Sequence, residues 1–237
     1  MGDRGAGIGV LGRATTGPSS PVVFDLDGVL VDTEHVWDEV REQLVADWGG
    51  SYGPGAQQAM MGMSSTEWSR YMHEQLGLLQ PAAEINDEVV RRMLLRYEDD
   101  LPLVPGAVDA VRTLAHRGHV LAVASSSNRE LIDGVLQRTG LRELFATTVS
   151  SEEVPRGKPA PDVYLEAARR LDVDASSCVV VEDSANGIRA AHAAGMRVLA
   201  YPNRMYPPAD EALMLAESVI EALDELPAAV EALADAA

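Results

Sequence analysis

Cysteine, basic tracts and long apolar runs are scarce in this chain of 237 residues. The single cysteine, Cys178, excludes an internal disulfide framework, and its position in an apolar segment predicts a buried, unreactive thiol. Lysine and arginine number 19 against 37 acidic residues, a formal net charge of −18. A nucleic-acid backbone or an anionic membrane is therefore not expected as a partner. No apolar run has the length of a membrane span or a signal peptide, which predicts a cytoplasmic protein.

The chain is long enough for a well-buried core and one or two domains, and 46% hydrophobic residues predict a globular protein. Residues 1–20 are rich in glycine and polar residues and are predicted to be a flexible leader. Gly7 to Gly12 fit the glycine pattern of dinucleotide-binding loops. That pattern requires a preceding strand and a following helix, and neither is present, so no nucleotide site is expected there.

The remaining sequence divides into two kinds of region. Residues 33–101 carry apolar residues at helical spacing, in predicted helices Glu34–Trp48, Thr66–Leu79 and Asp87–Leu101, with Ser64 or Ser65 and Asn86 as N-caps. Residues 21–32 and 102–237 alternate apolar strands with helices, which is typical of a parallel sheet covered on both faces. We expect an α/β fold with a Rossmann-like parallel sheet core, and a helical cap domain inserted after the first strand.

Two carboxylates follow the first apolar strand. Asp25 and Asp27 are two residues apart, a spacing that places both side chains on the same side of an extended segment. Two such groups repel each other and resist desolvation unless a positive charge compensates. A hard divalent cation such as Mg²⁺ is the expected compensator.

Three further segments supply polar groups suited to a phosphate. Ser125, Ser126 and Asn128 come at the end of an apolar strand and the start of a predicted helix, where hydroxyls and free backbone N–H groups suit an anion. Lys158 precedes a helix that begins with proline. The acidic pair of Glu182 and Asp183 ends another apolar strand and precedes a helix.

In this order the four segments resemble the motifs of the haloacid dehalogenase (HAD) superfamily: DxDGV, a strand-end Ser or Thr, a Lys, and an acidic pair. The resemblance covers about residues 21–201. The surrounding sequences GKPAPDVY and VEDSANGI are similar to the branch that contains β-phosphoglucomutases and small sugar-phosphate phosphatases.

The resemblance implies roles for the two aspartates of the first motif. Asp25 would be the nucleophile that forms an aspartyl-phosphate, and Asp27 the general acid–base that protonates the leaving oxygen and then activates water. The plainer interpretations are an ion-pairing acid for Asp25 and a metal ligand only for Asp27, whose backbone carbonyl is expected to bind the metal in either case. The haloacid dehalogenases proper lack the second aspartate, so dehalogenation is not expected.

The resemblance also implies the other site residues. Asp183 would complete the Mg²⁺ site with Asp25, and Glu182 would act directly, through water, or as a salt-bridging acid. Ser125 and Lys158 would hold the oxygens of the transferred phosphoryl group.

Substrate contacts are expected from the strand end and the cap. Ser126 is a candidate, and Asn128 either caps the next helix or touches the substrate. In the cap, Trp37 stands where the β-phosphoglucomutase pattern has a histidine, and the substrate loop ends in Ser64 and Ser65, with Ser65 where the mutases have an arginine. Both departures favour a phosphatase, since a mutase must hold a second phosphate in its cap. If the chain were a mutase, Arg91 or Arg92 would have to hold that phosphate.

The predicted function is a Mg²⁺-dependent phosphatase acting on a small phosphorylated metabolite, with a sugar phosphate as the expected class. The alternatives are a hexose-phosphate mutase of the β-phosphoglucomutase type, a phosphoacceptor signalling module of the response-regulator type, and a binding-only pseudoenzyme. A signalling module is disfavoured because a receiver domain has neither the DxD motif nor a cap. A pseudoenzyme is disfavoured because no motif residue is missing from this chain. The sequence leaves the substrate and the oligomeric state open.

Overall fold

The computed structural model describes residues 19–235, and its centre is one parallel six-stranded sheet in the order β3-β2-β1-β4-β5-β6. The strands are β1 (Val22–Phe24), β2 (Leu121–Ser125), β3 (Phe145–Ser150), β4 (Val179–Glu182), β5 (Arg197–Ala200) and β6 (Ser218–Val219). The helices are α1 (Glu34–Asp47), α2 (Ala56–Met60), α3 (Ser65–Gln75), α4 (Ala82–Asp99), α5 (Ala107–His116), α6 (Arg129–Thr139), α7 (Asp162–Leu171), α8 (Ala185–Ala193), α9 (Asp210–Leu213) and α10 (Leu226–Asp235).

Burial on both faces explains why the inner strands are continuous apolar runs rather than alternating ones. Every residue of β1, β2 and β4 is buried. Alternate residues of β1 point to opposite sides, so Val22 and Phe24 join the core formed with α5, α6 and α10, while Val23 joins the core formed with α7 and α8. The sheet is therefore the middle of three layers.

The sheet order decides where the functional groups meet. β1 pairs with β2 on one side and with β4 on the other, all parallel, with Phe24 opposite Val123 and Val181. The carboxyl ends of the three central strands consequently lie at one edge of the sheet. Ligands of open α/β sheets bind at this edge.

Helices α1–α4 form a cap between β1 and α5, as the sequence predicts. Their buried side chains, including Trp68, Met72, Ile85 and Met93, pack into the same hydrophobic core cluster as one face of the sheet. Helix α4 also packs against α6 of the core. The cap is thus seated on the carboxyl edge of the sheet. None of the helices in residues 19–235 combines the length and the apolar character needed to cross a membrane.

Three details of the cap differ from the sequence prediction. Helix α4 begins at Ala82, with Pro81 at the N-cap position, and Asn86 is inside it instead of capping it. The fixed φ of proline suits a helix start, so this helix begins without a polar cap. The short helix α2 was not predicted, and α3 ends at Gln75. Ser64 does cap α3, in a capping box with Glu67. The predicted leader, apart from its last two residues, and its glycine pattern lie outside the described residues.

Candidate active site

The carboxyl edge of the sheet and the cap enclose one cavity that the predicted motif residues line together. The core contributes Asp25, Asp27, Ser125, Ser126, Ser127, Lys158, Asp183 and Ser184. The cap contributes Glu34, Trp37, Arg41, Met60, Met61, Gly62, Met63 and Trp68. Asp25 and Asp183, which lie 158 positions apart in the sequence, are thereby brought to one site.

Lys158 is the only lysine of the chain, and it is 4% exposed. Its Nζ donates hydrogen bonds to Asp25 Oδ1 at 2.8 Å and to Glu182 Oε1 at 2.7 Å, and lies 4.8 Å from the centre of the Tyr164 ring. Burial alone would lower the pKa of the ammonium group, but the two carboxylates outweigh it and hold the pKa well above its usual value. Lys158 is a fixed cation in contact with Asp25.

Glu182 is completely buried and serves as the anchor of this lysine. Its Oε1 also accepts a hydrogen bond from the Tyr164 hydroxyl at 3.0 Å, and its Oε2 accepts one from the Ser184 backbone N–H at 2.8 Å. A Cβ at Gly187 would lie 1.5 Å from Oε1, so only glycine leaves room for this carboxylate at the start of α8. Both oxygens of Glu182 are thus occupied by donors of the protein.

Asp25, Glu182 and Asp183 each present a carboxylate oxygen within 4.8 Å of the others. Burial raises the pKa of Asp25 to about 7, helped by Glu182 and opposed by Lys158. Burial, with the charges of Glu182 and Asp25, raises the pKa of Asp183 well above its usual value. The single positive charge of Lys158 does not neutralise the three carboxyl groups when they are ionised. The donor set fits a divalent cation with oxygen ligands, which would stabilise the ionised forms.

Asp27 lies at the junction of core and cap and accepts three hydrogen bonds. Its Oδ1 accepts from the Thr33 hydroxyl at 2.5 Å and from the Trp37 indole N–H at 3.0 Å, and its Oδ2 accepts from the Ser127 hydroxyl at 2.6 Å. Thr33 and Trp37 lie where the chain enters the cap, and Ser127 lies just after the end of β2. The sequence predicted Trp37 as a substrate contact, and its bond to Asp27 was not foreseen.

The loop before α3 is tied to the core beside this carboxylate. The Ser126 hydroxyl donates to the Gly62 carbonyl at 3.0 Å, and the Asn186 amide donates to the Met61 carbonyl at 3.4 Å. Ser125 Oγ accepts from the Ser127 backbone N–H at 3.0 Å, which fixes the turn after β2. The cap is therefore closed over the cavity.

Three predicted substrate residues are not among the residues that line the cavity. Ser64 forms its capping box with Glu67. The Ser65 hydroxyl and the Asn128 amide both donate to Glu152, at 3.2 Å and 2.8 Å. The Ser65 bond connects the cap to the core, as does a second bond of the Asn128 amide to Asn86 Oδ1 at 3.0 Å, whereas the bonds of Ser64 stay within the cap.

Several cavity residues were not selected from the sequence, among them Glu34, Arg41 and Trp68. Arg41 is four residues after Trp37 on α1, and this spacing on one helix face was an available signal.

Comparison with known proteins agrees with this site. Residues 22–195 match the family model of haloacid dehalogenase-like hydrolases. Hexitol phosphatase B of Escherichia coli (strain K12) is 33% identical over 214 residues, which cover 87% of this chain and 93% of the relative. The crystal structure of CbbY from Rhodobacter sphaeroides in complex with phosphate superposes with a TM-score of 0.78 at 27% identity, covering 87% of this chain and 96% of the other.

One relative is much longer than this chain. The bifunctional riboflavin kinase/FMN phosphatase of Arabidopsis thaliana is 33% identical over 201 residues, and the match spans 82% of this chain but only 53% of that protein. The family model, the fold and the motif residues agree, and the chain belongs to the haloacid dehalogenase-like hydrolase family.

Gly28 provides a test of the acidic site that does not depend on activity. Its φ of 79° is in the left-handed region, and a Cβ there would lie 1.9 Å from Asp183 Oδ2. Gly118 has a similar φ of 85°, but a Cβ added there would have no atom within 4 Å, so Gly118→Ala is a matched control. We expect Gly118→Ala to lose about 1 kcal/mol of unfolding free energy, and Gly28→Ala to lose at least about 1 kcal/mol more because Asp183 must move. Urea denaturation measures both, and equal losses would contradict the described packing.

Proposed function

We propose that this protein is a Mg²⁺-dependent phosphatase that hydrolyses a small phosphorylated sugar or polyol through an aspartyl-phosphate on Asp25. The observation that carries the proposal is the contact of Asp25 with Lys158, the single lysine, in a buried acidic site at the carboxyl edge of the sheet. A carboxylate beside a fixed cation can attack phosphorus while the cation stabilises the charge of the phosphoryl oxygens.

In the first step, an Asp25 carboxylate oxygen bonds to phosphorus as the ester bond breaks. Asp27 gives its proton to the leaving alcohol oxygen, and Lys158 and Ser125 hold the phosphoryl oxygens. In the second step, Asp27 takes a proton from water, whose oxygen bonds to phosphorus. The bond between phosphorus and Asp25 breaks, and inorganic phosphate leaves. The three hydrogen bonds to Asp27 keep its carboxyl group oriented for both proton transfers.

Mg²⁺ would be held by Asp25, Asp183 and the backbone carbonyl of Asp27, and when bound it would neutralise charge on the phosphoryl group and on these acids. We propose an indirect role for Glu182, since both of its oxygens already accept hydrogen bonds from the protein. Its contribution is to hold Lys158 beside Asp25.

The substrate class is inferred from the cavity and from the relatives. The cap side of the cavity combines indole rings with polar groups, which suits a hydroxylated carbon chain, and hexitol phosphatase B is similar over most of this chain. A signalling module remains disfavoured, since the chain has both Asp27 and a cap. A cytoplasmic location remains a prediction from the sequence.

The mutase alternative requires a cap cation for a second phosphate. Arg91 and Arg92 both pair with Glu88, at 2.7 Å and 2.8 Å, and neither lines the cavity. Trp37 and Ser65 occupy the positions where the mutase pattern has its histidine and arginine. A third cap cation, Arg41, does line the cavity, but it shares the lining with the carboxyl groups of Glu34 and Asp27, which would repel a second phosphate. These observations favour water as the acceptor of the phosphoryl group.

The direct test is a screen of phosphate monoesters with Mg²⁺, scoring free phosphate and isomerised sugar phosphate in the same reaction. We expect phosphate release from sugar or polyol phosphates, and little glucose 6-phosphate from β-glucose 1-phosphate with a trace of the 1,6-bisphosphate. Asp25→Asn should lower turnover by at least about 10³-fold, which is about 4 kcal/mol of barrier, while the fold survives. Isomerisation more than about tenfold faster than hydrolysis would establish the mutase instead.

The acidic site also predicts a pH dependence of stability in EDTA. Asp25 has a pKa of about 7 in the folded protein against an ordinary value of 3.8, so between these values the folded state binds more protons than the unfolded state. Stability should therefore fall as pH rises from about 4 to about 7. Mg²⁺ should raise Tm, and more at pH 8 than at pH 5, since the ionised acids bind it. A Tm in EDTA that rises over this range, or an equal Mg²⁺ effect at both pH values, would contradict the assignment.

A further inference from the structure

A cation in the cap faces the cavity, although none was expected from the sequence. Arg41 on α1 is 4% exposed and lines the cavity with Asp25 and Lys158. Its Nη1 donates to Gln57 Oε1 at 2.9 Å, and its buried Nε has no hydrogen-bond partner. Among the side chains described for residues 19–233, no carboxylate oxygen lies within 4.0 Å of its guanidinium. A buried guanidinium without an ion pair is destabilising unless another group uses its donors.

Two indole rings pack against this guanidinium. Its central carbon lies 4.4 Å from the ring centre of Trp37 and 5.0 Å from that of Trp68, and the two rings pack edge to face. Burial lowers the pKa of Arg41 only to about 10, so the group is charged at neutral pH. The position of the cation is therefore determined before a substrate arrives.

Gln57 links Arg41 to a second polar group of the cavity. Its amide nitrogen donates to Glu34 Oε2 at 2.8 Å, and Glu34 also lines the cavity. Burial and the charge of Asp27 raise the pKa of Glu34 to about 7, so this carboxyl can accept or donate near neutral pH. Arg41 and Glu34 thus balance a cationic donor with a carboxyl acceptor in the cap lining of the cavity.

This balance distinguishes between possible ligands. A second phosphate would have to lie near Glu34 and Asp27, which repel it, with a single guanidinium in compensation. A hydroxyl group can accept from Arg41 and donate to Glu34, and the carbon chain that carries it can pack against Trp37 and Trp68.

We propose that Arg41 is a specificity-determining residue that donates a hydrogen bond to a hydroxyl group of the substrate, at the end away from the phosphate. Glu34 accepts a hydrogen bond from the same part of the substrate. Gln57 is bonded to both side chains and keeps them in place. The inference rests on the proposed phosphatase function and narrows its substrates to polyhydroxylated monophosphates.

The test compares substrates with and without these hydroxyls. The kcat/KM for sorbitol 6-phosphate and fructose 1-phosphate is divided by that for phenyl phosphate, which has the ester but no hydroxyls. Arg41→Met keeps an unbranched stem against the indoles, and we expect it to lower this ratio at least tenfold, mainly through KM, as for loss of a charge-assisted hydrogen bond. Arg41→Lys keeps the charge without the planar donor geometry, and should lower the ratio at least threefold.

The control is Arg96→Met, which removes a surface cap arginine paired with Glu39 at 2.8 Å and should leave the ratio within twofold. Hydrolysis of phenyl phosphate reports whether each variant is folded and active. If Arg41→Met does not fold, Arg41→Lys decides alone.

Two outcomes would overturn the inference while leaving the phosphatase proposal in place. One is wild-type activity with an unchanged ratio in the folded Arg41 variants. The other is a wild-type preference of tenfold or more for fructose 1,6-bisphosphate over fructose 1-phosphate that Arg41→Met abolishes, which would make Arg41 an anion site. No wild-type activity on any of these esters would overturn the proposed function and the inference with it.

Discussion

The ion pair of Lys158 with Asp25 and Glu182 is the interaction on which the site depends. It joins three segments of the core, at distances of 2.8 Å and 2.7 Å, in a place from which solvent is almost excluded. Its cation is the only lysine of a chain with a net charge of −18. Removing it would leave buried carboxylates unpaired, which is strongly destabilising. The contact therefore holds the core together and leaves Asp25 beside a positive charge.

The topology of the sheet explains why these groups meet. β1 lies between β2 and β4, and because all three are parallel their carboxyl ends, with Asp25, Ser125 and Asp183, share one edge. Insertion of α1–α4 directly after β1 places the cap over that edge. The short connection also brings Thr33 and Trp37 into contact with Asp27, so the orientation of this proposed acid–base group depends on the position of the cap.

The core and the meeting of the motif segments at its carboxyl edge were predictable because each motif follows a buried apolar strand or precedes a helix, and local patterns carry that information. The family and the α/β core with a helical insertion are confirmed on this basis. The contacts of the cap were not predictable in the same way. The bond of Asn128 to Glu152 and the contacts of Arg41 with two indole rings depend on long-range packing, which has no period in the sequence. The start of α4 was wrong because Pro81, rather than a polar cap, begins the helix.

The central claim is that Asp25 carries the phosphoryl group during turnover. Asp27→Asn should form the intermediate from p-nitrophenyl phosphate, whose leaving group needs no proton, and hydrolyse it slowly because water is no longer activated. Borohydride reduces an acyl phosphate to an alcohol, so quenching with it converts a phosphorylated aspartate to homoserine. The account predicts homoserine at position 25 by peptide mass spectrometry, dependent on substrate. Phosphate on Ser125, or unmodified Asp25 during active turnover, would contradict it.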